Sequence, residues 1–304
     1  MLEGIENAVK VGKNMPKVSI VLITYNSSDF VLETLESIKC LTYRNIELII
    51  TDDGSKDDTL LICRQWLEKN HYRFVNSEIL SVEYNTGIPA NCNRGVKAAS
   101  GEWIKIIAGD DTFIEDGIQN FIENVNPKDR IIQTDCEIYS ETFDSANYIE
   151  NFSSTISLKF FLLPAHVQNK LLKTYRYINA PAVFFHGEIF EFLSFDEEFP
   201  QIEDLPFWIL STKNNLNITY LDVPTVKYRI HHNSVQTVDS NFYKNNLLQH
   251  KLISKIKSKY YGNEYNILNK SIDRVKLEFA RFSLIRKILR VTSKLVKNLA
   301  LNKG

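Results

Sequence analysis

The 304-residue chain has almost no net charge, with 36 Lys and Arg against 37 Asp and Glu. Without surplus positive charge to neutralise phosphates, a polybasic nucleic-acid binder is disfavoured as a reading of the whole chain. Cysteine is scarce and scattered. Cys40, Cys63, Cys92 and Cys136 form no CxxC pair and no dense framework, which argues against disulfides and a thiolate zinc site and points to a reducing compartment. Long apolar runs are also missing. Residues 18–23 and 160–163 are among the longest, far short of the ~20 residues that span a bilayer. Charges interrupt residues 1–17, so no signal-peptide core stands there. The expectation is a cytoplasmic chain, soluble or at most peripheral to the inner face of the plasma membrane. No internal repeat or low-complexity run is present.

What is there is core material. Hydrophobic residues make up 44% of the chain, which excludes disorder, and the length suits one large α/β domain with an appendage or two modest domains. Residues 17–24 form a β-branched run bounded by Pro16 and by Asn26, Ser27 and Ser28, the pattern of a buried strand. Residues 29–39 then carry apolar positions near helical spacing, with Ser28 or Asp29 available as cap. The alternation continues with strands at 46–51, 81–84 and 103–107 and helices at 57–69 and 89–99. Strands separated by helices of this length imply right-handed βαβ crossovers and a mostly parallel sheet. Residues 129–228 read as irregular, with short strands at 131–134, 182–185 and 218–221 and a helical stretch at 157–173 that suggests a lid or substrate-shaping segment.

Ligands of such sheets sit beyond the carboxyl ends of the strands, where polar clusters fall after each strand: Thr24-Tyr25-Asn26, Asp52-Asp53-Gly54-Ser55, Asn85-Thr86-Gly87 and Gly109-Asp110-Asp111. The Asp110–Asp111 pair offers hard oxygen donors to Mg2+ or Mn2+, although an Asp-rich turn that caps a helix has the same composition. A carboxylate at Asp52 or Asp53 can accept the imide N–H of uracil or thymine, and Tyr25 offers a ring face for stacking; an ordinary Asp-Gly-Ser turn and a core tyrosine are the structural alternatives.

The motifs at residues 18–26, 34–38, 47–59, 85–95 and 101–111 stand in the order and spacing of a family that this chain resembles, the family 2 glycosyltransferases. The likeness is strong over residues 16–113, weaker at Glu203-Asp204 and at Tyr228-Arg229-Ile230-His231, and absent beyond about residue 237. It implies a GT-A fold, a Rossmann-like α/β sheet flanked by helices, and inverting transfer from a nucleotide-activated sugar with Mn2+ or Mg2+. Carried over by position, Asp53 contacts the base with Asp52 in support, Thr24, Tyr25 and Asn26 line the nucleoside pocket, and Asn85 and Gly87 continue it. Asp110 matches the second Asp of the family's Asp-x-Asp metal motif, and Asp111 follows. Two positions depart from the pattern: Ala108 stands at the first Asp, and Asn91-Cys92-Asn93 replaces a segment with a phosphate-facing Arg, for which Arg94 is the neighbouring candidate.

Inversion needs a base to take the acceptor hydroxyl's proton. By resemblance this is Asp204, with Glu203 as helper or runner-up; a helix cap before Pro206 is the structural alternative. His231 matches a position where some relatives carry a metal- or diphosphate-contacting His. The expected organisation is a tail at 1–15, a GT-A domain at 16–237 (nucleotide half 16–113, acceptor half 114–237) and a basic helical extension at 238–304. In that extension, residues 271–298 read as an amphipathic helix, and no acidic residue follows Phe279. Such a helix suits an anionic membrane surface carrying a polyprenyl-linked acceptor, or equally packing on protein. The implied partners are a nucleotide-sugar donor and a glycan or polyprenyl-linked acceptor, with no nucleic acid; the oligomeric state, a homo-oligomer included, stays open. A sugar nucleotidyltransferase is disfavoured, because residues 24–28 contain neither glycine nor a basic residue. A non-catalytic nucleotide-sugar-binding scaffold, motivated by Ala108, is the rival from another class.

Overall fold

A computed structural model describes residues 15–155, 157–173, 178–231 and 242–262, with the backbone alone over 242–250. The chain divides into two compact units, Met1–Arg229 and Ile230–Gly304; sequence had placed the division at 237/238. In the second unit the described helix, Phe242–Tyr261, agrees with the helix-forming composition there. The basic stretch at 271–298, with its membrane reading, lies outside the described residues.

The first unit is built on a nine-stranded sheet. Its strands are β1 (Val18–Thr24), β2 (Ile46–Asp52), β3 (Asn76–Ser81), β4 (Trp103–Ala108), β5 (Thr112–Phe113), β6 (Ile131–Ser140), β7 (Tyr148–Asn151), β8 (Val183–His186) and β9 (Ile218–Ile230). The order is β3-β2-β1-β4-β8-β6-β9-β5, with β7 beside β6. Pairings among β1 to β4 are parallel, and β8 joins both β4 and β6 antiparallel. All of β2 and nearly all of β1 are buried, because the helices α1 (Val31–Cys40), α2 (Thr59–Asn70) and α3 (Ile88–Ala98) pack on the parallel half. Register puts Thr24 opposite Asp52, Asp52 opposite Ser81, and Ile23 opposite Ala108. The four strand ends are therefore level at one edge, and the polar clusters share it.

Several sequence expectations need correction. The third strand is Asn76–Ser81 rather than 81–84, which leaves Tyr84 in the loop at the strand's carboxyl end. This edge strand is only half-buried and polar, so apolar alternation misplaced it. The first helix takes no cap from Ser28 or Asp29. Instead Phe30 and Val31 donate to the Ser27 carbonyl, while Asp57 accepts the Ser28 N–H and Thr59 Oγ1 accepts the Ser27 N–H.

The region read as irregular carries longer strands than expected. The strand expected at 131–134 runs on to Ser140, and the one at 218–221 runs on to Ile230. Buried polar side chains hid the continuity: Thr134 Oγ1 donates to the Ala182 carbonyl, and Asp135 accepts from Ser153. The stretch at 157–173 is a 3-10 turn, Leu158–Leu162, followed by a helix, Ala165–Leu172. That helix packs against α7 (Asp204–Lys213; α4 is Gly117–Asn124, α5 Phe152–Thr155 and α6 Ala165–Leu172), with Asn169 donating to the Ile209 carbonyl and to Thr212. It buttresses α7.

At the opposite edge of the sheet, Glu47 is 1% exposed and accepts from Ser19, Asn76 and both the N–H and hydroxyl of Ser100. Burial alone would raise its carboxyl, but these hydrogen bonds outweigh it and hold the group below the usual range. The resulting stability is complete above the unfolded carboxylate range and fades as pH falls through the lower folded value. Glu47→Ala should cost about 3 kcal/mol at pH 7, since it orphans several buried donors. Urea unfolding at pH 7 and near pH 2.5 checks this; the gap between variant and wild type should narrow in acid.

Candidate active site

Each loop at the level edge is held by side chains that the strands deliver. Asp52, at the end of β2, accepts from Thr24 Oγ1 at 2.9 Å, from the N–H groups of Gly54 and Ser55, and from the Ser55 hydroxyl. It closes the turn that Gly54 makes with φ of +79°, where the backbone of Tyr84 leaves no room for a Cβ. Asp52 thus holds the turn, and Thr24, 2% exposed, points inward to it. Asn26 adopts a left-handed φ of 49°, which asparagine tolerates, and its side chain accepts the Lys56 N–H.

Asp53 is 3% exposed. One of its oxygens accepts the N–H groups of Thr86 and Gly87 at 2.9 and 2.8 Å; the other accepts the Thr86 hydroxyl and Arg94 Nη2 at 2.5 and 3.2 Å. A carboxylate offers about four lone-pair sites, so the chain itself fills them. Asn85 accepts the same Gly87 N–H and shapes the turn. Arg94 is committed to this corner, donating also to Thr51, Asn91 and Thr86. Gly87, with φ of +98°, lies so close to Pro200 that a Cβ would sit 2.6 Å from the proline Cβ, and the Ile88 N–H donates to the Pro200 carbonyl at 2.9 Å. This clasp joins the loop after β3 to the segment that leads into Glu203 and Asp204.

The sequence reading named Tyr25 and passed over Tyr84. Both rings are open to solvent, 46% and 68% exposed, on the loops after β1 and β3. The Lys56 ammonium lies 5.7 Å from the Tyr84 ring centroid. Asn91 was seen only as a departure from a pattern; buried, it accepts from Thr51 and Arg94 and donates to the Thr24 carbonyl.

The turn after β4 places the two aspartates differently. Asp111 is buried, and its carboxylate accepts the Arg229 N–H at 2.9 Å. Burial first, and then the neighbouring Asp110 charge, push its carboxyl well above the usual range. Arg229 pins the turn. Its Nε donates to the Asp110 carbonyl and Nη1 to the Glu141 carbonyl, Nη2 pairs with Glu33, and its guanidinium lies 4.8 and 4.1 Å from the ring centroids of Phe30 and Phe143. Beneath the turn, the fully buried Lys105 donates to the carbonyls of Ile106 and Pro181, and burial pulls its ammonium down to about 7.

Asp204 opens α7, a helix buried nearly all round through Leu205, Phe207, Trp208 and Ile209. The aromatic side chains of Phe185, Phe195, Phe207 and Trp208 hold it to β8; Phe185 stacks on Trp208 at 5.9 Å and 9°. The Asp204 carboxylate accepts the Leu205 N–H at 2.6 Å. Asp111, Glu203 and Asp204 all line one cavity of about 80 Å3, with Ala108 and Trp208 also in its wall.

Among the described residues, no three His, Cys, Asp or Glu side chains are gathered to hold a metal ion. The Asp110–Asp111 pair fits a divalent cation by donor chemistry, since two adjacent carboxyl groups offer hard oxygens and a bound cation would favour the charged form that burial and mutual repulsion disfavour at Asp111. His231 is buried and belongs to the second unit.

Residues 19–199 match the family described as Glycosyl transferase family 2. The chain belongs to that family. Among curated relatives, an uncharacterized glycosyltransferase of Haemophilus influenzae is 25% identical over 281 residues, covering 87% of this chain and 80% of that protein. An uncharacterized glycosyltransferase of Rickettsia felis is 29% identical over 205 residues, covering 64% of this chain and 31% of that protein, and glycosyltransferase GlyG of Streptococcus pneumoniae is 33% identical over 112 residues, covering 37% of this chain and 36% of that protein. Among solved structures, S. aureus TarS in complex with UDP-GlcNAc aligns with a TM-score of 0.55 at 18% identity, over 83% of this chain and 73% of that one. The mannosyltransferase PcManGT of Pyrobaculum calidifontis, solved with GDP-Man and Mn2+, aligns with a TM-score of 0.55 at 16% identity, over 81% and 64%. The solved structures establish the GT-A fold of the chain, and the family model and the curated relatives support sugar transfer as its activity. No helix among the described residues is long and apolar enough to cross a membrane.

Proposed function

We propose that this family 2 glycosyltransferase moves a sugar, with inversion, from a nucleoside diphosphate donor to a hydroxyl of a glycan or polyprenyl-linked acceptor in cell-surface polysaccharide synthesis. The observation that carries this reading is the single cavity lined by both Asp111, of the candidate metal turn, and Asp204, the candidate base. A sugar seated over the mouth of this cavity has its anomeric carbon within reach of a base on one side and its diphosphate near the carboxylate pair on the other. The Asp204 carboxylate takes the acceptor hydroxyl's proton as that oxygen attacks the anomeric carbon, and the bond from carbon to the diphosphate oxygen breaks. Glu203, beside it in the same wall, orients the acceptor. A divalent cation, Mn2+ or Mg2+, held by Asp110 and Asp111, would supply the charge that neutralises the departing diphosphate; the Mn2+ in the PcManGT complex supports that assignment.

On this reading the base stacks on Tyr25, with Tyr84 at its other flank, and Asp53 exchanges one of its four internal hydrogen bonds for the imide N–H of a pyrimidine. UDP or dTDP is therefore the donor nucleotide in preference to GDP. A thermal-shift series with UDP, dTDP, GDP and CMP, each with and without Mn2+, tests the proposal, because a ligand of the native state raises Tm by mass action. A metal-dependent rise with UDP or dTDP is expected; no rise with any nucleotide would overturn the donor site and favour the scaffold.

A further inference from the structure

The cavity shared by Asp111 and Asp204 has a wall that neither carboxylate explains. Trp208 lines it, is 3% exposed, and its indole Nε1–H is buried with no hydrogen-bond partner among the described residues. A buried N–H without an acceptor costs about 1–3 kcal/mol, so its retention at this place calls for an acceptor that arrives from outside the chain. Trp208 follows Asp204 by four residues on α7, which puts the two on one helix face. Most of the remaining wall is apolar: Ile106, Ile107, Ala108, Pro181, Phe185 and Phe195. Its volume, about 80 Å3, is roughly half that of an apolar cavity that takes a benzene ring. That is room for a small branched substituent and too little for a second sugar.

We propose that this cavity receives the N-acyl group of the transferred sugar, so that the donor is an acetamido sugar and Trp208 is the residue that selects it. The acyl oxygen accepts the Trp208 Nε1–H, and the methyl group buries among the Ile106, Ala108 and Phe195 side chains. The amide N–H faces the Glu203 carboxylate, which leaves Asp204 to the acceptor. A plain hydroxyl at the same carbon reaches neither the indole nor the apolar wall, and it leaves the Trp208 donor orphaned. Sites built to hydrogen-bond one substituent discriminate strongly against an analogue that lacks it.

This inference rests on the donor reading above, and one calorimetric series separates the two. Full-length protein with Mn2+ is titrated with UDP, UDP-glucose and UDP-N-acetylglucosamine, or with the dTDP set where dTDP is the diphosphate that binds. The acetamido donor should bind about tenfold or more tighter than the glucose donor. Trp208→Phe keeps an aromatic ring against Phe185 and removes only the N–H; it should leave affinity for the bare diphosphate within about twofold and abolish most of that preference. Equal affinities for the two sugars on wild-type protein would overturn the acetamido assignment while leaving the donor site standing. The wild-type comparison decides this even if the variant fails to fold. Absence of binding by every diphosphate would remove the donor site, and the assignment with it.

Discussion

Asp204→Asn should lower the rate of sugar transfer by about a thousandfold, within the usual range for loss of a general base, while donor affinity stays within about twofold. The substitution is conservative in shape. Asparagine still offers an oxygen to the Leu205 N–H that Asp204 engages at 2.6 Å, so the start of α7 and its aromatic packing on β8 are preserved. What the amide lacks is basicity, so it cannot take the acceptor's proton. Single-turnover transfer and calorimetric donor binding, measured on the same preparation, give the two halves of the result. A variant that transfers at the wild-type rate would reduce Asp204 to holding the first turn of α7 through the Leu205 N–H. One that has lost nucleotide binding would mean that the carboxylate holds the donor instead of the acceptor proton.

The second large effect is expected at Asp110. Asp110→Ala removes one hard oxygen donor from the turn after β4, and Mn2+-dependent nucleotide affinity should fall by about a hundredfold. Metal-free affinity should hardly change, because the Tyr25 and Asp53 end of the site is untouched. The turn itself should survive, since Arg229 grips it through the Asp110 carbonyl and the Asp111 carboxylate and does not use the Asp110 side chain for either bond. Titration of nucleotide with and without EDTA checks the prediction. An unchanged Mn2+ response in the variant would move the metal away from Asp110.

These two predictions draw on parts of the chain that were unequally legible. The strands β1, β2 and β4 could be read from composition because they are buried on both faces and so are continuous β-branched runs. The loops after them could be read because turn chemistry and carboxylates are local. The edge strand β3 was displaced by several residues, since a half-exposed strand carries little hydrophobic pattern, and Tyr84 went unnoticed as a result. Strands β6 and β9 were truncated because Gln133, Thr134, Asp135 and Thr225 are buried yet polar. Their hydrogen bonds to distant residues make that burial tolerable, and no window of sequence displays those partners.

The sequence alone determined the chemical inventory and its place at the strand ends: the aspartates at 52, 53, 110 and 111, the glycines that allow the turns, and the family to which the chain belongs. It could do so because each signal is confined to a few neighbouring residues. Only the tertiary structure decided which of these groups act together. Sequence could not tell that Thr86, Gly87 and Arg94 fill the Asp53 carboxylate, or that Arg229 grips the Asp110–Asp111 turn. Nor could it place Asp204 and the unsatisfied indole of Trp208 in one wall with Asp111, some ninety residues earlier in the chain. Those relations follow from the docking of α7 against β8 through a cluster of aromatic rings, and non-directional apolar packing of that kind leaves no local pattern in the chain that makes it.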